Sequence, residues 1–146
     1  SMTKHRQTLG REGEQKAARF LAERGYQIVS QNVRAARVEI DLIATKRRTL
    51  FFIEVKTRRA TSYEGFGSHG RAAEAVDERK QHRLRRGAMA WLDEHPEWRR
   101  RCPRKRFDVV TCVVSAGYAL PAESQNTTTA LPKEARWSIE HWEAAF

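Results

Sequence analysis

The chain has 146 residues, with 28 Lys and Arg against 18 Asp and Glu, a formal charge of +10 and a sequence pI near 10.3. This length suits one domain with an ordinary core, able to bury roughly 68–70% of its unfolded surface without disulfide support. The excess of bases points to a polyanionic partner, and no apolar run approaches the ~18 residues of a membrane span.

Mean hydropathy is low, at −0.74, yet the apolar residues are clustered, which argues against disorder over the whole length. No apolar leader follows the basic N-terminus, so a cytoplasmic protein is expected; Ser1 reads as a tag scar before Met2. Cys102 and Cys112 lack metal-ligand spacing and fit a reducing compartment, one as a loop thiol and one as a core thiol.

Residues 3–24 predict a helix, because Ala17, Ala18, Phe20 and Leu21 recur at helical spacing and Gly25 supplies a stop. Three short strands are expected next. They are 26–32 around Ile28, 38–45 (VEIDLIAT) and 50–57 (LFFIEVKT), with Lys46-Arg47-Arg48-Thr49 as a hairpin loop between the last two. Residues 72–94 return to helical period, with Val76, Leu84, Ala88 and Trp91 on one side. A basic connector, 99–106 (RRRCPRKR), leads into 107–114 (FDVVTCVV), a β-branched run long enough for a buried strand. Residues 115–135 are rich in Ser, Thr, Ala and Pro and read as a surface loop or insertion, and 137–146 as a short closing helix. The order α-β-β-β-α-β-α describes an α/β domain, a small mixed sheet flanked by helices.

Fixed periodicities place charges on faces. In the second strand, Glu39 and Asp41 are expected on one face and Ile40 and Leu42 on the other; in the third, Phe52, Glu54 and Lys56 share a face. Glu14 falls inside the arc of Ala17, Ala18 and Leu21, and Lys80 inside that of Val76, Leu84 and Trp91. Charges are rarely buried unless paired or bound to metal, and breaks in local pattern tend to mark functional sites. An E-x-K in a strand also makes an ordinary exposed ion pair, worth little. The combination of Glu14, Asp41, Glu54 and Lys56 is what carries weight.

Asp41 and Glu54 on adjacent strands could offer oxygen ligands to Mg²⁺, or Mn²⁺, with the Val55 carbonyl beside them and Glu14 as an outer ligand, directly or through water. Such an ion would lower the pKa of its water and neutralise charge at a phosphodiester. Lys56 could orient or deprotonate the attacking water or stabilise developing negative charge, with Glu39 and Lys80 in support. Together these residues describe a metal-assisted phosphodiester hydrolase.

The run EIDLIA (39–44), a short loop and then FIEVKTR (52–58) resembles the YraN family, small bacterial proteins related to archaeal Holliday-junction resolvases within the PD-(D/E)XK nuclease superfamily. The likeness extends through GREGEQKAA (10–18), AVDERKQHRL (75–84), RFDVV (106–110) and EHWEAAF (140–146). It implies a restriction-endonuclease-like core. Glu14 would stand for the family's first-helix glutamate, Asp41 for the superfamily's aspartate, Glu54 and Lys56 for the E-x-K pair, and Lys80 for a helix lysine near the site. Where the family carries Gly before its E-I-D, this chain has Val38, which lacks glycine's backbone freedom.

For substrate grip, Arg79, Arg83 and Arg86 are expected on the solvent side of the second helix, and Arg58 and Arg59 just beyond Lys56. No base-reading motif is present, so DNA would be recognised by structure rather than sequence. The Gly-rich stretch 63–70 suits a flap over the site or a plain connector. The leading expectation is a Mg²⁺- or Mn²⁺-dependent DNA endonuclease acting on branched DNA, with a homodimer as the default assembly. The alternatives are a nucleic-acid-binding protein without turnover, serving repair or transformation, and an RNA-associated basic protein.

Overall fold

A computed structural model of the chain describes residues 2–60, 76–115 and 137–146. The first helix, α1 (Met2–Glu23), stops at Gly25, which takes φ +89°. The Tyr26 N–H donates to the Leu21 carbonyl (3.1 Å) and the Gly25 N–H to that of Ala22 (3.1 Å), the paired bonds of a Schellman ending.

Three strands follow: β1 (Gln27–Ala35), β2 (Val38–Lys46) and β3 (Thr49–Arg59), antiparallel in sequence. Each hairpin closes with two residues at positive φ, Ala36 and Arg37 (49° and 63°) and then Arg47 and Arg48 (51° and 64°). This is the type I′ arrangement, whose twist suits adjoining strands. The expected loop at 46–49 is thereby narrowed to its two central arginines. Val38, in place of glycine, makes no demand on the first turn: it opens β2 opposite Ala35 and packs on α2 at Gly87, where an added Cβ would come within 2.9 Å of it.

Next come α2 (Glu78–Glu94), α3 (Pro96–Arg101), β4 (Arg104–Val114) and β5 (Trp137–Trp142). The strand order is β1-β2-β3-β4-β5, with β4 parallel to β3 and β5 antiparallel to β4. Parallel neighbours need a long crossover, and α2 and α3 lie within it. The core has two sides. Leu42, Phe51, Ile53, Val55, Val110 and Cys112 meet Ala17 and Leu21 of α1, while Ile43, Leu50, Phe52 and Phe107 meet Ala88, Trp91 and Leu92 of α2. The two cysteines are free; Cys112 lies in this core, where burial pushes its thiol up to about 12.

Two expectations are corrected. The segment starting at 137 forms β5 rather than a closing helix. In six residues the two periods are hard to distinguish, and β4, buried from Phe107 to Val114, would otherwise leave one edge of backbone groups without a strand. Residues 96–101 form α3, started by Pro96 at its first turn, so part of the basic connector is helical. The segments 63–70 and 116–135 lie outside the described residues. No described helix is long and apolar enough to cross a membrane.

Candidate functional site

The β2–β3 ladder ends at the Leu42–Ile53 pair, whereas β2 stays paired with β1 through Ile40–Val33, Glu39–Arg34 and Val38–Ala35. Beyond Leu42, β2 therefore parts from β3. Opposite this point in β1, Asn32 takes φ 51°, and the expected alternation in β2 fails: Ile40 packs on the α2 side with Ile43, and Leu42 on the α1 side. Asp41 occupies the bend. Its Oδ2 accepts the Val55 N–H at 2.8 Å, so a side-chain oxygen replaces the missing ladder partner. A strand residue turns its N–H and C=O toward the same neighbour, and the Val55 carbonyl consequently faces the same gap.

On β3 the expected alternation holds. Phe52 and Glu54 turn toward α2, while Phe51, Ile53 and Val55 turn toward α1. Glu54 is only 7% exposed, and its Oε1 meets Lys80 Nζ at 2.7 Å and Lys56 Nζ at 3.5 Å. Lys80 is brought there by a helix cap: the Asp77 carboxylate accepts the Lys80 N–H (2.9 Å), fixing the first turn of α2. Glu14 arrives by close packing. Any Cβ at Gly13 would overlap the Thr57 side chain, so only glycine lets α1 lie this close to β3.

The result is a cluster of carboxylates and ammoniums at one end of the sheet. Burial pushes the Asp41 carboxyl up to about 7, joined by the charges of Glu54 and Glu14 and opposed by the Val55 N–H and Lys80. The lysines diverge. Burial and the neighbouring Lys80 lower Lys56, whereas burial of Lys80 is overcome by its hydrogen bond to Glu54 together with the charges of Glu54 and Asp41, which raise it. Environments that push two like groups apart are a signature of assigned acid–base roles.

Two cavities open here. One, about 600 Å³, is lined by Arg6, Glu14, Val55, Lys56, Arg58 and Arg59. The other, about 230 Å³, lies on the α2 side between Arg37, Glu39, Asp41, Glu54, Lys80 and Arg83. The structure thus brings together Glu14, Asp41, Glu54, Lys56 and Lys80, with Arg58, Arg59 and Arg83 at the rims. Glu39 stands exposed on one rim, paired with Arg34 at 3.3 Å. Arg79 and Arg86 are exposed on α2 outside both linings. Arg6 and Arg37 join the rims without having been expected there: Arg6 is three residues before Leu9 on the packed side of α1, and Arg37 sits in a turn whose length the sequence left open.

Among the described residues no three His, Cys, Asp or Glu side chains converge closely enough to hold a metal by themselves. The donors for a cation are then Asp41, Glu54 and the Val55 carbonyl, with Glu14 farther out. This all-oxygen set suits a hard divalent ion, which needs only one or two carboxylates. A cation there would also offset the burial and the Glu54 charge that raise Asp41.

Over residues 13–112 the chain matches the uncharacterised protein family UPF0102. It is 46% identical to a UPF0102 protein of Chlorobium phaeobacteroides over 105 residues, 72% of this chain and 76% of that one. It is 44% identical to a UPF0102 protein of Nocardia farcinica over 114 residues (77% and 82%) and 44% identical to one of Treponema pallidum over 109 residues (75% and 80%). The matched span holds the Gly13–Glu14 step, the Asp41 bend, the Glu54–Lys56 pair and Lys80, and the chain belongs to the UPF0102 family.

Proposed function

We propose that this protein is a Mg²⁺- or Mn²⁺-dependent endonuclease of the PD-(D/E)XK kind, acting on DNA and selecting branched structures over sequence. One observation carries the reading: Asp41, bonded through Oδ2 to the backbone beside Glu54, lies in a basic-rimmed recess with Lys56 and Lys80 on the Glu54 carboxylate. The resemblance to YraN proteins and archaeal junction resolvases supports it.

Asp41, Glu54 and the Val55 carbonyl would hold the ion, with Glu14 outside them. When bound, it would supply charge neutralisation at the phosphate and a more acidic water. Everything else falls to the protein. Lys80 holds Glu54 in position by its 2.7 Å contact. Lys56, which burial and Lys80 lower, would orient the attacking water, help deprotonate it or stabilise developing negative charge. Arg58, Arg59 and Arg83, with Arg6 and Arg37, would fix the backbone phosphates, and Arg79 and Arg86 would extend that grip along α2. A homodimer would present two such sites to a symmetric junction.

Nucleic-acid binding without turnover is a second reading, favoured by the Lys80–Glu54 contact, which already gives one carboxylate a positive partner. A cleavage panel separates the two. Linear, flapped, three-way and four-way DNA, and RNA, are incubated with Mg²⁺ or Mn²⁺. Metal-dependent cuts lost in Asp41→Asn and Glu54→Gln support the nuclease; binding with no cuts in any arm supports the second reading. Stronger binding to RNA than to every DNA would instead favour an RNA-associated role.

A further inference from the structure

At the other end of β3 the sheet carries a second charged recess that the proposed chemistry does not use. It is a cavity of about 620 Å³ floored by Tyr26 and Phe51 and lined by Lys46, Arg47, Arg104, Lys105 and Arg106, against the single carboxylate Glu143 among its described lining residues. Strand register assembles it. Lys46 pairs with Thr49, and Thr49 with Arg104, so three adjacent strands put Lys46 and Arg104 in one row, about 10 Å apart.

The recess is pre-arranged. Arg106 is clamped by the buried Asp108, its Nε and Nη2 each 2.8 Å from a carboxylate oxygen, and lies over the Phe51 ring. That clamp spends Arg106's charge within the fold, and Lys105 turns to the α2 side, where its Nζ meets the Met89 sulfur (3.2 Å). Lys46 keeps its charge, since it bonds the uncharged Arg24 carbonyl (2.7 Å). Arg47 and Arg48 occupy the two positive-φ positions of the β2–β3 turn, where Asn and Gly would be favoured.

We infer that this far-end recess is a second phosphate-binding site that takes the backbone of a nucleic-acid strand remote from Glu54. Its cations gather at the Thr49 end of β3, on the α1 side of the sheet, five residues from Glu54 on the α2 side, or about 17 Å along the strand. At the ~3.4 Å rise of one strand this spans about five phosphates. One polynucleotide can engage both ends of the sheet, and the far end then measures how much of the strand lies beyond the Glu54 site. The nature of the polyanion rests on the nuclease reading; the anion site itself does not.

The test is equilibrium binding of a duplex of about twenty base pairs over a salt series, with chelator present so that no cleavage intervenes. The variant Arg47→Asn/Arg104→Gln removes two recess charges, and Asn tolerates the turn's positive φ. Lys16→Gln/Arg19→Gln removes the same charge from α1, at residues lining neither this recess nor the site cavities. The recess variant should bind on the order of tenfold more weakly, with a salt slope shallower by about two, and the α1 variant should keep the wild-type slope. Equal losses in the two variants, or none in either, would overturn the inference. So would a site titrated by inorganic phosphate, and lost in the recess variant, while duplex affinity stays unchanged. Repeating the series in Asp41→Asn keeps the two proposals apart: the recess effect should persist there whether or not the wild type cleaves DNA.

Discussion

Asp41, half-buried on β2, and Asp108, buried on β4, belong to one sheet, and the fold treats them in opposite ways. Asp108 is 0% exposed and has a partner on every side: Arg106 by two bonds of 2.8 Å, His141 Nε2 at 2.7 Å and the Ala144 N–H at 2.9 Å. Burial alone would raise it, but these donors together hold it below the ordinary carboxylate value. Asp41 accepts one backbone N–H and faces two other carboxylates, and it is pushed up to about 7. A carboxylate satisfied by its own fold ties strands together; in the proposed function, one that burial and other carboxylates raise would be completed by a cation. Asp108 joins β4 to β5 and the C-terminal turn, whereas Asp41 is the residue on which the proposed chemistry depends.

Substitutions can break this contrast directly, and cleavage should show the largest change. Asp41→Asn and Glu54→Gln should each lower metal-dependent DNA cleavage on the order of 10³-fold while duplex affinity in chelator changes little. Asp108→Asn should do the reverse. Loss of its charge leaves Arg106 and His141 without their buried partner and should cost about 3 kcal/mol in denaturant unfolding, with the residual folded protein still cutting. If Asp108→Asn proves as stable as wild type, the ion network is not what holds β5 in place.

The pH dependence of stability sharpens the same comparison. Asp41 is raised in the folded state from 3.8 to about 7, so the folded protein binds its proton more tightly than the unfolded chain does. Its contribution is present below the unfolded value and is lost as pH rises from about 4 through about 7. Asp108, lowered in the folded state, contributes above its unfolded value and is lost as pH falls into the acid range. Asp41→Asn should therefore raise unfolding free energy at pH 8, on the order of 2 kcal/mol, and flatten the curve between pH 4 and 7. A curve unchanged in that window would mean Asp41 is not destabilised by its neighbours. The last effect concerns the approach of α1: Gly13→Ala should cost about 1–3 kcal/mol by pressing on Thr57 and should displace Glu14. A neutral Gly13→Ala would show that α1 can move off β3 without loss.

Much of the site was legible because it breaks periodic pattern. Glu54 and Lys56 hold a strict two-residue step, Glu14 and Lys80 interrupt apolar helical arcs, and each lies where that reasoning puts it. The bend at Asp41 was hidden, since alternation assumes a straight strand and the kink lies opposite Asn32, at positive φ in the neighbouring one. The Asp108 network was missed for two reasons. Its Arg106-Phe107-Asp108 spacing, a same-face pair like E-x-K, sits inside a run dominated by valines, and His141 lies in a segment whose aromatic residues suit a helix as well as a strand. The alternation of Trp137, Ile139 and His141 was the available signal; only the unpaired edge of β4 decides in its favour. The far-end recess was invisible for a different reason, because it joins residues from two turns and three strands through register.

The central claim is that Asp41 is left uncompensated by the protein and is completed by a divalent cation. A ¹³C NMR titration of the Asp41 carboxyl, run with and without Mg²⁺, measures this most directly. The account predicts a midpoint near 7 without the ion and a lower one with it. A midpoint in the ordinary aspartate range that Mg²⁺ leaves unmoved would contradict it.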